Sequence, residues 1–179
     1  DFGVERAGWF EFESPDLGAA AASVSACVSE FNHPWPGKTK PVKAYGTTYR
    51  LETNPELYEG VRFAWIFFEP SSSDDAVLPA WRITNVSVVA KVKPVRYTGS
   101  FASSDDVLTK VWYSGAYGVR LNMEAHGFNS VLMDRGDRVS IQGDGHPTMA
   151  AGLVAFSPYK LVLSMLQQTN SGSVNGHKV

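Results

Sequence analysis

The sequence predicts an α+β protein: an antiparallel β-sandwich over residues 1–96, then a run of helices over residues 97–179. Three observations lead there. Apolar and polar residues alternate with period two in several short stretches before Pro94. Pro- and Gly-containing segments, at 32–40, 54–55 and 70–79, separate those stretches. After Pro94 the apolar spacing changes to that of a helix.

The elements follow in order. Phe10 and Phe12 alternate with Glu11 and Glu13, which predicts a strand with one face buried. Val24, Ala26 and Val28 alternate with Ser25, Cys27 and Ser29 in the same way. Val61 to Phe68 is apolar on both faces, as expected of a central sandwich strand. Val86, Val88, Ala90 and Val92 complete the pattern against Ser87, Val89, Lys91 and Lys93. A helix is predicted from about Ser104 to about His126, with a Ser cap and Asp105 and Asp106 in the first turn, where a carboxylate complements the dipole. Leu108, Val111, Trp112, Gly115, Val119 and Met123 form its apolar stripe. A second helix is predicted to open at Pro147, a residue suited to a first helical turn, and to reach Phe156. A third runs over Leu161, Leu163, Met165 and Leu166, and the Ser/Gly/Asn-rich tail 170–179 is expected to be loose. Trp9 and Trp112 sit in apolar periodic patterns and are expected in cores. Trp35, between two prolines, suits a sugar-stacking platform or a loop anchor.

Composition narrows the function classes. Of 179 residues, 44% are apolar, enough for a packed core, and 12% are aromatic, which suits sheet cores or sugar-stacking surfaces. Basic residues are scattered and the net charge is −2, so no nucleic-acid stripe or membrane patch is predicted. No apolar run approaches the ~20 residues of a membrane span. Cys27 is the single cysteine, which excludes an intrachain disulfide and leaves the compartment open, and no Cys/His spacing suggests zinc. The opening on Asp1 leads us to expect processing or excision from a longer chain. Asn85-Val86-Ser87 fits a glycosylation sequon within a predicted strand.

Residues 134–147 concentrate the reactive side chains: Asp134-Arg135-Gly136-Asp137-Arg138-Val139-Ser140-Ile141-Gln142-Gly143-Asp144-Gly145-His146-Pro147. Cleaving a glycosidic bond takes two carboxyl groups, one protonated and one ionised. This run can supply one or both. Bland readings stand beside that one. Asp137 suits an ion pair with Arg135 or Arg138, Asp144 a helix cap ahead of Pro147, and His146 a partly buried hydrogen bonder. Arg135-Gly136-Asp137 also spells the cell-adhesion tripeptide, which needs an exposed loop.

Two further segments carry a family resemblance. Asp1-Phe2-Gly3-Val4-Glu5-Arg6-Ala7-Gly8-Trp9 resembles the D-F-G-x-E-x-x-G-W strand in the sandwich of α-L-rhamnosidases of glycoside hydrolase family 78 and their six-hairpin relatives. The segment from Gly99 to Trp112 looks like the linker and first helix that enter that family's (α/α)6 barrel. The family's catalytic motif, D-C-P-x-R-D-E-R-x-G-W-x-G-D, lies without gaps on Val131 to Asp144. Arg135, Arg138, Gly143 and Asp144 match; Asp137 falls on the general-acid Glu and Asp144 on a substrate-binding Asp. Val131, Leu132 and Met133 replace D-C-P, Gly136 an Asp, Ser140 a Gly and Ile141 the Trp.

The resemblance implies an inverting glycosidase acting on rhamnose-containing carbohydrate, with no cofactor and no metal. Asp137 is its catalytic acid, and Asp134, Arg138, Asp144 and His146 are the candidate substrate-binding residues. It also implies the first helices of an incomplete barrel. Twelve helices need well over ~150 residues after the sandwich, so the chain reads as a fragment whose partner is the remainder of the barrel and whose general base lies elsewhere. The alternative is a non-catalytic carbohydrate-binding module or degenerate homologue.

Overall fold

The computed structural model describes residues 1–18, 23–68, 82–123, 127–128, 142–158, 160, 162, 173–174 and 177–178. Two compact units emerge: the first comprises Asp1–Lys91, and the second begins at Val92 and carries the helices. The class is α+β with antiparallel sheets, as the change of period at Pro94 predicts.

Among its described residues the first unit holds β1 (Arg6–Glu13), β2 (Val24–Ser29), β3 (Lys40–Pro41), β4 (Lys43–Tyr45), β5 (Thr48–Arg50), β6 (Glu59–Val61), β7 (Phe63–Phe68) and β8 (Asn85–Ala90). One sheet runs β4-β5-β1-β6, with β8 also paired to β1; the other runs β3-β2-β7. Along β1, Glu11 faces Arg50 of β5, Gly8 faces Glu59 of β6, and Trp9 faces Val89 of β8. Both sheets feed one core. Phe10, Phe12, Tyr49 and Val61 come from the larger sheet; Val24, Ala26 and Val28 come from the smaller, with Ala64, Ile66 and Phe68 packed against them. Full burial of each large apolar side chain contributes about 1.5–3 kcal/mol. The arrangement is consistent with the expected sandwich.

The run Val61 to Phe68 is not one central strand. Arg62 turns the chain between sheets, its N–H bonded to the Ser29 carbonyl at 3.1 Å and its own carbonyl accepting from the Phe2 N–H at 2.9 Å. Val61 ends in the larger sheet, and β7 borders the smaller one, partly buried throughout. Its second apolar face, where Phe63 and Trp65 stack at 6.1 Å, is half-covered surface. β2 is buried on both faces instead, because the segment around Trp35 lies over Cys27. In β8, Val88 reaches the core while Val86 is 47% exposed. An open crevice of about 400 Å³, lined by Asp1, Phe2, Phe10, Ala64, Ile66 and Val86, lies at that edge.

The second unit contains α1 (Asp106–Leu121) and α2 (Gln142–Ala155). Asp105, not Ser104, caps α1, accepting the Val107 N–H at 2.8 Å, and Ser103 Oγ accepts the Asp105 N–H at 3.1 Å. A carboxylate is the stronger acceptor at this position. The helix ends five residues before His126: Asn122 leaves helical geometry and its side chain donates to the Gly118 carbonyl at 2.9 Å. Met123 is therefore buried outside the helix, bridged to Phe128. Pro147 is inside α2, not at its start. As the sixth helical residue it lies beyond the first four, whose N–H groups have no intrahelical partner, so the helix forgoes one i→i−4 hydrogen bond there.

The α1 stripe also differs from the expected one. Ala116 and Leu121 are buried and Trp112 and Val119 pack on the core, whereas Leu108 and Val111 are exposed. The core of this unit joins Ala116, Met123, Phe128, Ala155 and Phe156. Tyr97 lies 4.8 Å from Phe156 and 6.3 Å from Trp112, centroid to centroid, and ties the irregular segment leading into α1 to α1 and to the residue that follows α2. Lys160 and Val162 are helical, and the rest of the predicted third helix lies outside the described residues. The tail is not wholly loose: β9 (Ser173–Val174) pairs with β10 (His177–Lys178). The Asn175-Gly176 dipeptide between them is the sequence signal for such a pairing.

Candidate functional site

The predicted reactive run falls largely where nothing is described. Asp134, Asp137 and Arg138 lie outside the described residues. Asp144 is the third residue of α2, inside the helix and not at the position that precedes it. His146 is exposed on α2 and not partly buried. Among the described residues no group of three or more His, Cys, Asp or Glu side chains could hold a metal ion.

The described residues explain the opening motif in physical terms. Asp1 Oδ1 accepts the Gly3 N–H at 2.8 Å and lies 3.5 Å from Arg62 Nε. Phe2 packs on the core, edge-on to Phe10 at 6.4 Å. At Gly8 a Cβ would fall 1.9 Å from the Val89 carbonyl oxygen, so this cross-strand approach requires glycine. Gly99 is required for the same reason: a Cβ would fall 2.1 Å from the Val154 carbonyl oxygen, and its N–H donates to Ala155 at 3.2 Å.

Trp9 is not a core residue. Strand parity puts Phe10 and Phe12 inward, so Trp9 and Glu11 face outward. There they meet side chains from β4 and β5. The Trp9 indole donates to Glu11 Oε2 at 3.0 Å, and Arg50 Nε lies 3.5 Å from the same oxygen. The Arg50 guanidinium sits over the rings of both Trp9, at 5.1 Å, and Tyr45, at 4.7 Å. Tyr45 donates to Glu52 Oε1 at 2.6 Å, and Lys43 pairs with the other oxygen of Glu52. The bonds from Lys43 and Tyr45 hold the Glu52 carboxyl below its ordinary range. The bond to Glu52 raises both the Lys43 ammonium and the Tyr45 phenol above theirs. Parity exposes Trp9 and Glu11 in the sequence, but the pairing that brings Arg50, Tyr45 and Lys43 beside them has no local signal.

Trp35 is 44% exposed and anchored through its backbone. Its N–H donates to Cys27 Sγ at 3.3 Å and its carbonyl lies 3.4 Å from the thiol, while Lys38 Nζ stands 5.5 Å from the ring centre.

No protein-family model and no curated protein matches this sequence. The fold is similar to that of a GH78 family rhamnosidase of Bacillus sp. GL1, with a TM-score of 0.68 and 22% identity. The likeness covers 93% of this chain and 17% of that one. At that identity it speaks for the fold.

Proposed function

We propose that this chain is part of an α-L-rhamnosidase-like inverting glycoside hydrolase: its sandwich and the opening helices of its (α/α)6 barrel. The observation that carries the reading is the similarity to a GH78 rhamnosidase along 93% of the chain. The opening motif, the Gly99 linker and the polar run occur in that family's order. In this reading Asp137 protonates the leaving glycosidic oxygen. A general base from sequence outside this chain activates water on the opposite face of the ring, with the two carboxyls about 6.5–9.5 Å apart. Asp134, Arg138, Asp144 and His146 orient the sugar. Further barrel helices cover the apolar surface of Val107, Leu108 and Val111 on α1, exposed here at 63%, 51% and 62%. No cofactor takes part.

The test is Asp137→Asn in a protein that includes the remaining barrel. Turnover of an aryl rhamnoside should fall by several orders of magnitude, with folding and sugar affinity nearly unchanged. Asp144→Asn should chiefly weaken binding. Full activity with a lowered melting temperature would instead make Asp137 an ion-pair partner of Arg135 or Arg138. A second reading, a non-catalytic or degenerate homologue, is favoured by one observation: Ile141 stands where the family motif has tryptophan.

A further inference from the structure

The outer face of β4, β5 and β1 gathers two aromatic rings, two cations and two carboxylates on a surface that contributes nothing to the core. Lys43 and Tyr45 come from β4, Arg50 from β5, and Trp9 and Glu11 from β1, with Glu52 just beyond β5. Arg50 and Glu11 are only partly accessible, at 24% and 21% of their side-chain surface. Their pairing uses Glu11 Oε2 and Arg50 Nε. Among the described residues, Glu11 Oε1 and the two terminal nitrogens of Arg50 accept and donate no hydrogen bond. A rigid acceptor and a planar donor fork thus stand side by side with capacity to spare. Tyr45, half exposed, borders them, fixed by its bond to Glu52 and by the guanidinium against its ring.

From this we propose that the face is a saccharide-binding platform. The apolar side of a sugar ring lies on Tyr45, and a vicinal pair of hydroxyls bridges Glu11 Oε1 and the Arg50 fork. In a vicinal diol one hydroxyl can donate to the carboxylate while its neighbour accepts from the guanidinium, and the C–H side of the ring can lie on an aromatic face. The charges say which sugars. Lys43 and Arg50 balance Glu11 and Glu52, and Glu13, on the same face by parity, adds negative charge. The platform therefore suits a neutral saccharide and disfavours an anionic one. This binding surface lies in the first unit and does not depend on the catalytic reading of Asp137.

The experiment is affinity electrophoresis of the 179-residue chain in gels containing a soluble rhamnan, xylan or dextran. Retardation by at least one is expected. Tyr45→Ala and Arg50→Lys should each weaken it at least tenfold, while Tyr45→Phe, which keeps the ring, should retain it. Tyr113→Ala, at a 39% exposed aromatic of the second unit, should also retain it. Circular dichroism of each variant separates lost binding from lost folding. No retardation by any of the three polysaccharides, or retardation unchanged in well-folded Tyr45→Ala and Arg50→Lys, would overturn the proposal. Because no turnover is measured, failure here leaves the glycosidase reading standing, and failure of Asp137→Asn leaves the platform standing.

Discussion

Single residues in this protein act mainly through what their neighbours leave room for. Gly99 and Gly8 are set by carbonyl oxygens that occupy the space of a side chain. Gly99→Ala must displace the end of α2, and we expect a loss of about 1–3 kcal/mol, read by urea denaturation. Glu52 works through charge. Its folded-state titration lies below the ordinary carboxylate range because Lys43 and Tyr45 donate to it. Its contribution to stability is therefore full above that range and is lost as pH falls through the lowered folded value. Glu52→Gln should lower the near-neutral melting temperature slightly, as an exposed pair contributes little, and converge with the parent as pH falls, so that the acid side of the profile is flatter in the variant. Lys43 and Tyr45 carry the opposite sign: their raised values give stability that is present below their unfolded values and fades as pH rises through the folded ones. Cys27 is buried, with its thiol between the N–H and carbonyl of Trp35. A thiol reagent should modify it in the denatured chain and not in the native one.

At the scale of elements, the departures from sequence expectation share a cause: periodicity reports that a face is apolar, not what covers it. The stripe Leu108, Val111, Trp112, Val119 is a sound helical pattern, yet only the part that meets α2 and its surroundings is covered. Val111→Glu should thus change the stability of this chain by less than about 0.5 kcal/mol, whereas Trp112→Ala should cost about 3 kcal/mol. Equal losses in denaturant titrations would show that the α1 surface is packed differently. The β7 residues follow the same logic. Phe63 and Trp65 are as apolar as Ile66 and Phe68, but they stack on each other on the outer face, while the latter reach the core.

The whole molecule consists of two units with separate cores, the first joining two sheets and the second built on α1 and α2. Its likeness to a GH78 rhamnosidase extends over 17% of that protein. If catalysis follows the proposal, this chain alone carries an acid without a base on the opposite face of the sugar. The purified 179-residue chain should then show no turnover of aryl rhamnosides above background. Robust turnover abolished by Asp137→Asn would mean that the chain holds its own base, and would remove the need for further helices.

The sequence by itself determined the class. Alternation places β1, β2 and β8, and the change of spacing after Pro94 separates strands from α1, because period two and period 3.6 are properties of the backbone that neighbouring residues reveal. Local chemistry also marks Asp105 and Asp106 at a helix start. Only the tertiary structure decided that Arg62 is a corner, that Met123 is buried beyond α1, and that Trp9 and Tyr45 flank Arg50 on an outer face. The first and last rest on pairing between strands far apart in the chain, and the second on the packing of Met123 with Phe128 and the residues around the end of α2. Glu11 meets Arg50 across 38 intervening positions, and no window of adjacent residues contains both partners of that contact.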